Sequence, residues 1–133
     1  PHKSVAEEIP ELIKSEFEEA HLCFAAKAYR GCLAMSVAAL ESSWREQEVS
    51  GLDELRDKGI ISPTLWEQAR AVRLWGGVAK HKPIPDVVDK EDAEQLLAYL
   101  EAILDAIYVQ PKKLSRLTQR RKKLEKDTKP SST

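Results

Sequence analysis

Apolar residues return at every third or fourth position along most of this chain, and that spacing predicts helices. In "IPELIKSEFEEAHLCFAAK" the positions Ile9, Leu12, Ile13, Phe17, Ala20 and Phe24 share one helical stripe, while Glu11, Glu16, Glu18 and Glu19 form an acidic face directed to water. Pro10 suits a first helical turn, and Ser4 with Glu7 has the spacing of a capping box. In "AYRGCLAMSVAALESSWREQE" the residues Tyr29, Cys32, Leu33, Ser36, Val37, Leu40 and Trp44 lie on one side, and Ala34, Ala38 and Ala39 widen the weakly apolar surface. A helix apolar on more than one side is central in a bundle or meets another chain. Gly31 marks either a bend before this helix or a close approach of two helices.

Ser50 and Gly51 are expected to stop the second helix, and "LDELRDK" forms a short one closed by Gly59. Ser62 and Pro63 are an N-cap followed by a proline at the first helical position. The helix that follows has Leu65, Ala69, Val72 and Gly76 in its stripe, with Trp66 and Trp75 at its margins, and is expected to end at the pair Gly76-Gly77. Pro83 and Pro85 forbid regular helix in "KHKPIPDVV". Asp89 and Asp92 then open a helix whose stripe, Ala93, Leu96, Leu97, Leu100, Ile103, Leu104 and Ile107, is the clearest in the chain. Pro111 interrupts or kinks it. A lysine- and arginine-rich segment continues as a helix with a thin stripe of Leu114, Leu117 and Leu124, and residues 128–133 are expected to be disordered.

These elements make an all-α bundle of about four main helices with one short extra helix. The bundle is expected over residues 1–111, with a basic helical extension and tail over 112–133. A length of 133 residues and 42% hydrophobic content suit one core. No apolar run approaches the roughly 18 residues needed to cross a bilayer, and the N-terminal stretch lacks the apolar centre of a signal peptide. A cytoplasmic protein with no membrane partner is the expectation. The first residue is proline, which suggests a piece trimmed from a longer chain.

The formal net charge of -1 conceals a division. From Lys112 to Lys129 nine basic residues face only Glu125 and Asp127, a balance of +7 against -8 for the rest of the chain. Such a tail binds nucleic acid, an acidic partner or a neighbouring copy, or is simply a solvated helix end. The cysteines, Cys23 and Cys32, would lie roughly 13 Å apart along a single helix, too far for a disulfide. If the helix breaks between them, geometry leaves pairing open without favouring it. They read as small apolar groups of a reducing compartment. His2, His21 and His81 are scattered and no CxxC occurs, so no metal site or cofactor is expected.

Four stretches in order carry a family resemblance: "IPELIKSEFEEAHLCFAAKAYRGCLAMSVAALES", "LRDKGIIS", "RAVRLWGGVAKH" and "VDKEDAEQLLAYLEAILDAIYVQP". Together, over most of residues 5 to 111, they resemble the domain-of-unknown-function family 4145, which looks like an outlying branch of the HEPN superfamily of helical domains. The resemblance implies a HEPN-like bundle. It also implies a central motif in which Arg73, Gly76, Ala79 and His81 take the places of the family's arginine, glycine, small residue and histidine. Gly77 stands where asparagine is usual, and Lys80 where a small residue is common. Catalytic HEPN domains resemble metal-independent ribonucleases that set their arginine nearer the histidine, at the position Gly76 holds here, with a polar residue beside it.

Metal-free RNA cleavage needs a base for the 2′-hydroxyl proton and cations for the phosphorane. His81 suits the acid-base role, Arg73 the phosphate clamp, and Lys80 and Lys82 add positive charge. The competing reading makes Gly76-Gly77 a helix end, His81 a loop tie to a backbone carbonyl, and Arg73 the partner of a carboxylate. Glu41 has two readings as well: a buried partner for Arg70 or Arg73, or a surface glutamate. Three functions follow, in this order. The first is a non-catalytic interaction module, a homodimer that assembles or positions a larger protein machine in prokaryotic defence or nucleic-acid processing. The second is a metal-independent ribonuclease using His81 and Arg73. The third is RNA or DNA binding through the basic tail, by Arg116, Arg120, Arg121, Lys122 and Lys123.

Overall fold

The computed structural model describes residues 5–81 and 88–128, with Ala79, Lys80 and His81 described as backbone. The six α-helices are α1 (Glu11–Ala25), α2 (Tyr29–Glu46), α3 (Leu52–Asp57), α4 (Pro63–His81), α5 (Lys90–Leu104) and α6 (Gln110–Thr128). A π-helical turn, Asp105–Val109, joins the last two. No strand occurs among the described residues. Ser4, Lys82, Pro83, Pro85 and the tail beyond Thr128 lie outside them, so the expectations for those positions do too.

The centre is α2, which packs against α1, α4 and α5. Cys32, Leu33, Ala39 and Leu40 are fully buried there beside Ile13, Phe17 and Ala20 of α1, Ala69 and Val72 of α4, and the whole stripe from Ala93 to Ile107. A helix covered on three sides leaves little room for polar groups, so two of its buried serines bond to carbonyls of the same helix. Ser36 Oγ donates to the Cys32 carbonyl at 2.8 Å and Ser43 Oγ to that of Leu40 at 2.6 Å. Ser42 Oγ donates to Glu16 Oε1 at 2.6 Å and ties α2 to α1. The stripe assigned to α1 needs one correction. Leu12 is 66% exposed, because Ile9, Ile13 and Phe17 already complete the inner face.

Three helices in succession end in one way. After α1, Ala28 N–H donates to the Cys23 carbonyl and Lys27 N–H to that of Phe24. After α2, Val49 pairs with Trp44 and Glu48 with Arg45; after α3, Ile60 pairs with Leu55 and Gly59 with Arg56. This is the Schellman pattern, which puts the residue after the cap in the left-handed region. Gly59 (φ 72°) does so without strain, whereas Lys27 (φ 62°) and Glu48 (φ 57°) carry a Cβ there. The second helix therefore ends at Glu46, with Gln47 as its cap and Glu48 in the left-handed region, before Ser50 and Gly51 are reached, and Val49 and Trp44 supply a buried apolar clasp across the cap. Ser62 and Asp89 cap as expected: Leu65 N–H donates to Ser62 Oγ at 3.1 Å, and Asp89 and Asp92 form a reciprocal capping box.

The largest correction concerns Gly76-Gly77. The helix does not end there; α4 continues through both glycines to His81. Gly76 is buried against α2, where an added Cβ would overlap Cγ2 of Val37 and come within 3.6 Å of the Leu33 carbonyl oxygen. Gly77, one residue on, has nothing within 4 Å of its Cβ position. The first glycine is a close-packing point and the second is not. Gly31 likewise lies inside α2, with its Cβ position 3.2 Å from Cys23 Sγ, while the bend falls earlier, at Lys27. Pro111 does not end the last helix either. The π turn ahead of it brings Ile107, Tyr108 and Val109 into the core in succession, before α6 leaves the bundle with no buried residue.

The two adjacent glycines should respond oppositely to alanine. Gly76→Ala should destabilise by roughly 1–3 kcal/mol, since Val37 is stiff and close packed. Gly77→Ala should stabilise by about 0.5–1 kcal/mol through helix propensity alone. Urea unfolding followed by circular dichroism reads both.

Candidate functional site

Because α4 runs on past the glycines, Trp66, Arg70, Arg73 and Gly77 recur at helical spacing down one side. They face the segment that begins α3. Together with Ser50, Gly51, Leu52, Asp53, Glu54 and Leu74 they line an open groove of about 830 Å³. The missing side chain at Gly77 leaves space in that wall.

Trp66 organises the groove. Its Nε1–H donates to Asp53 Oδ1 at 3.0 Å, which joins α4 to α3. The guanidinium carbons of Arg56 and Arg70 lie 4.3 Å and 5.0 Å from its ring centroid. Arg73 lies 5.7 Å from the centroid of Trp44, at the far end of α2. These stacked positions hold cations over ring faces without neutralising them. No carboxylate of the described residues pairs with Arg70 or Arg73, so the ion pair considered for Glu41 is absent and Glu41 is half-buried beside no arginine partner. The groove thus has a cationic, aromatic wall on α4 and an acidic lip on α3.

The lip is tied down. Ser50 Oγ and the Ser50 backbone N–H both donate to Glu54 Oε2, at 2.7 Å and 2.9 Å, and Lys58 Nζ stands 3.0 Å from Oε1. The Ser50 hydroxyl and amide, then Lys58, hold the Glu54 carboxyl at about 2, below its ordinary 4.5.

Two further shifted groups, Cys32 and Tyr108, belong to the core. Burial, then the neighbouring Cys23, pushes the Cys32 thiol up to about 12, against a weaker opposing bond with Ser36. Both cysteines are free thiols. Burial and the nearby Glu46 carboxylate raise Tyr108, whose hydroxyl donates to the Ser43 carbonyl at 3.4 Å. Tyr29 is half-buried, its ring 5.8 Å from that of Phe24. A smaller cavity of about 350 Å³ lies between the N-terminal turn, α1 and the π turn, lined by Phe17, His21, Glu101 and Asp105 among others.

The residues expected to act together are distributed as follows. Arg73 is exposed in the groove, and His81 closes the same helix eight residues on, roughly 12 Å of helical rise away. Lys80 precedes it in α4, and Lys82 is outside the described residues. Arg116, Arg120, Arg121, Lys122 and Lys123 are all exposed on α6, which continues from the π turn without entering the groove. The helical spacing of Trp66, Arg70 and Arg73 is visible in the sequence, but their meeting with Asp53 and the Ser50–Glu54 segment is not, because it depends on α3 folding against α4. Among the described residues no three His, Cys, Asp or Glu stand together as metal ligands, and no helix is long and apolar enough to cross a membrane.

The family described as Domain of unknown function (DUF4145) matches residues 18–120, from the middle of α1 into α6 and across the whole groove. No functionally curated protein and no solved structure matches the chain.

The Glu54 carboxyl yields a pH prediction. Its folded value lies below its unfolded one, so its contribution to stability is complete above about 4.5 and is lost as the pH falls through about 2. Ser50→Ala should move the carboxyl up toward 4.5, read by NMR titration of the Glu54 side chain, and should flatten the stability profile over that window.

Proposed function

Since the chain belongs to the DUF4145 family, we propose that it is a non-catalytic helical interaction module that pairs with a second copy. The observation that carries this reading is a ridge on the outer side of α4. Leu74, Trp75 and Val78 fall on adjacent turns and are 61%, 36% and 37% exposed. Scattered apolar side chains on a surface are ordinary, but three large ones in succession, one a tryptophan, have the composition of an interface core. On α2 the alanines 34 and 38 remain exposed or half-exposed, a surface low enough for another helix to approach. The ordered motifs support a HEPN-like bundle over residues 1–111 with 112–133 as its extension. In that setting the domain assembles or positions a larger machine of prokaryotic defence or nucleic-acid processing.

A second reading is a metal-independent ribonuclease, with His81 as general acid-base and Arg73 as phosphate clamp. What favours it is the pair of exposed arginines, Arg70 and Arg73, held over aromatic rings on the groove wall with no carboxylate partner among the described residues. Phosphate is the natural complement of such cations.

Two measurements separate these readings. Light scattering should give a dimer mass at micromolar concentration, and Trp75→Ala should raise the dissociation constant roughly thirtyfold, equivalent to about 2 kcal/mol. A wild-type monomer at high micromolar concentration overturns the module. The ribonuclease reading requires cleavage of RNA in the presence of a chelator and its loss in His81→Ala; an inactive native protein, or an active mutant, rejects it.

A further inference from the structure

The helix α6 is unusual in this chain. It has 19 residues, none of them buried, and carries eight lysines and arginines against Glu125 and Asp127. A solitary polar helix of this length is marginal in water and is normally stabilised by packing an apolar face. Such a face is present and uncovered: Leu114, Leu117 and Leu124 are 66%, 63% and 54% exposed. With Arg121 they occupy steps i, i+3, i+7 and i+10, the seam of a helix pair.

The same steps recur on the outer side of α1. Leu12, Ser15, Glu19 and Leu22 are all exposed, the leucines at 66% and 60%. Around them α1 carries Glu11, Glu16 and Glu18, with Lys14 as its one lysine or arginine. Laid side by side in the same direction, the two seams set Leu114 on Leu12, Leu117 over the small Ser15, Arg121 on Glu19, and Leu124 on Leu22. Glu19 has no ion partner among the described residues. Arg121 has only the exposed Glu125 of its own helix, 3.6 Å away, a contact worth little. A seam of two α6 helices would instead bring two strongly cationic segments together. The α1 of its own chain is not the occupant, because α6 continues directly from the π turn away from the bundle, does not pack on α1 and buries no residue.

We infer that α6 is an exchange arm, which docks its Leu114/Leu117/Arg121/Leu124 seam on the Leu12/Ser15/Glu19/Leu22 seam of α1 in a second copy of this chain. One such helix pair is small beside the roughly 1,600 Å² of a stable interface. Twofold symmetry makes the contact twice, once for each arm. The inference rests on the self-association proposed above but not on the α4 ridge, which is a different surface.

Full-length charge-reversal variants test it by sedimentation equilibrium. Arg121→Glu alone sets glutamate against Glu19 in both arms, and Glu19→Arg alone sets arginine against Arg121. Each should raise the dimer dissociation constant about tenfold or more. An equimolar mixture of the two variants restores an opposite-charge pair in both arms and should recover association near the wild-type level. That recovery also shows that neither variant failed to fold. A wild-type dimer that neither substitution weakens, or a mixture no tighter than its components, overturns the exchange arm and leaves the α4 reading standing. A monomeric wild type overturns both.

Discussion

The close crossing of α2 and α4 at Gly76 is the constraint on which the rest of the molecule depends. At that point the backbone of α4 lies against Val37, with no room for a methyl group. The contact sets the separation of the two helices and so decides which side chains of α4 face the core. With Gly76, Val72 and Ala69 turned inward, Trp66, Arg70, Arg73 and Gly77 are left along the flank toward α3, and Leu74, Trp75 and Val78 toward the outside. The groove and the apolar ridge are therefore two consequences of one packing event. A helix that ended at the glycines would have left Gly77 out of the groove wall and Val78 out of the ridge.

Short-range chemistry finishes the frame. Three successive Schellman caps reverse the chain between α1, α2, α3 and the residues before α4, and two use non-glycine residues in the left-handed region. The cost of order 1–2 kcal/mol per such residue is offset by hydrogen-bonded carbonyls and by buried clasps such as Val49 on Trp44. The π turn plays a comparable part near the other end. One wide turn adds Tyr108 and Val109 to the core and then releases α6 from it, immediately before a proline that has no N–H to give.

Charge is separated along the same lines. Glu11 and Glu19 of α1 face outward while Glu16 is held by Ser42, the arginines of α4 lie over aromatic rings in the groove, and the lysines and arginines of α6 stand clear of both. Among the buried polar groups, Ser36 and Ser43 bond within α2, while Ser42 and Tyr108 bond across to Glu16 of α1 and to the Ser43 carbonyl. The surfaces that remain open are thus an apolar ridge on α4, a cationic groove between α4 and α3, and exposed leucines on α1 and α6.

Apolar periodicity determined that this chain is helical and which residues of α5 form its core, and local capping chemistry determined where Ser62, Asp89 and Gly59 begin or end helices. Those features depend on neighbours within one or two turns, and such neighbours are visible in the sequence. Tertiary structure decided the rest. The string Gly76-Gly77 looks like a helix stop because glycine weakens helices, yet Val37, thirty-nine residues away, makes the first glycine a packing requirement. Leu12 belongs to the apolar stripe of α1 by spacing but faces outward, since α2 covers only part of that helix. The groove of Trp66, Arg70 and Arg73 with Asp53 exists only once α3 is folded against α4. Local propensity fixes where a helix is possible; only the packing of distant side chains fixes where it ends, which face it hides and what it leaves exposed.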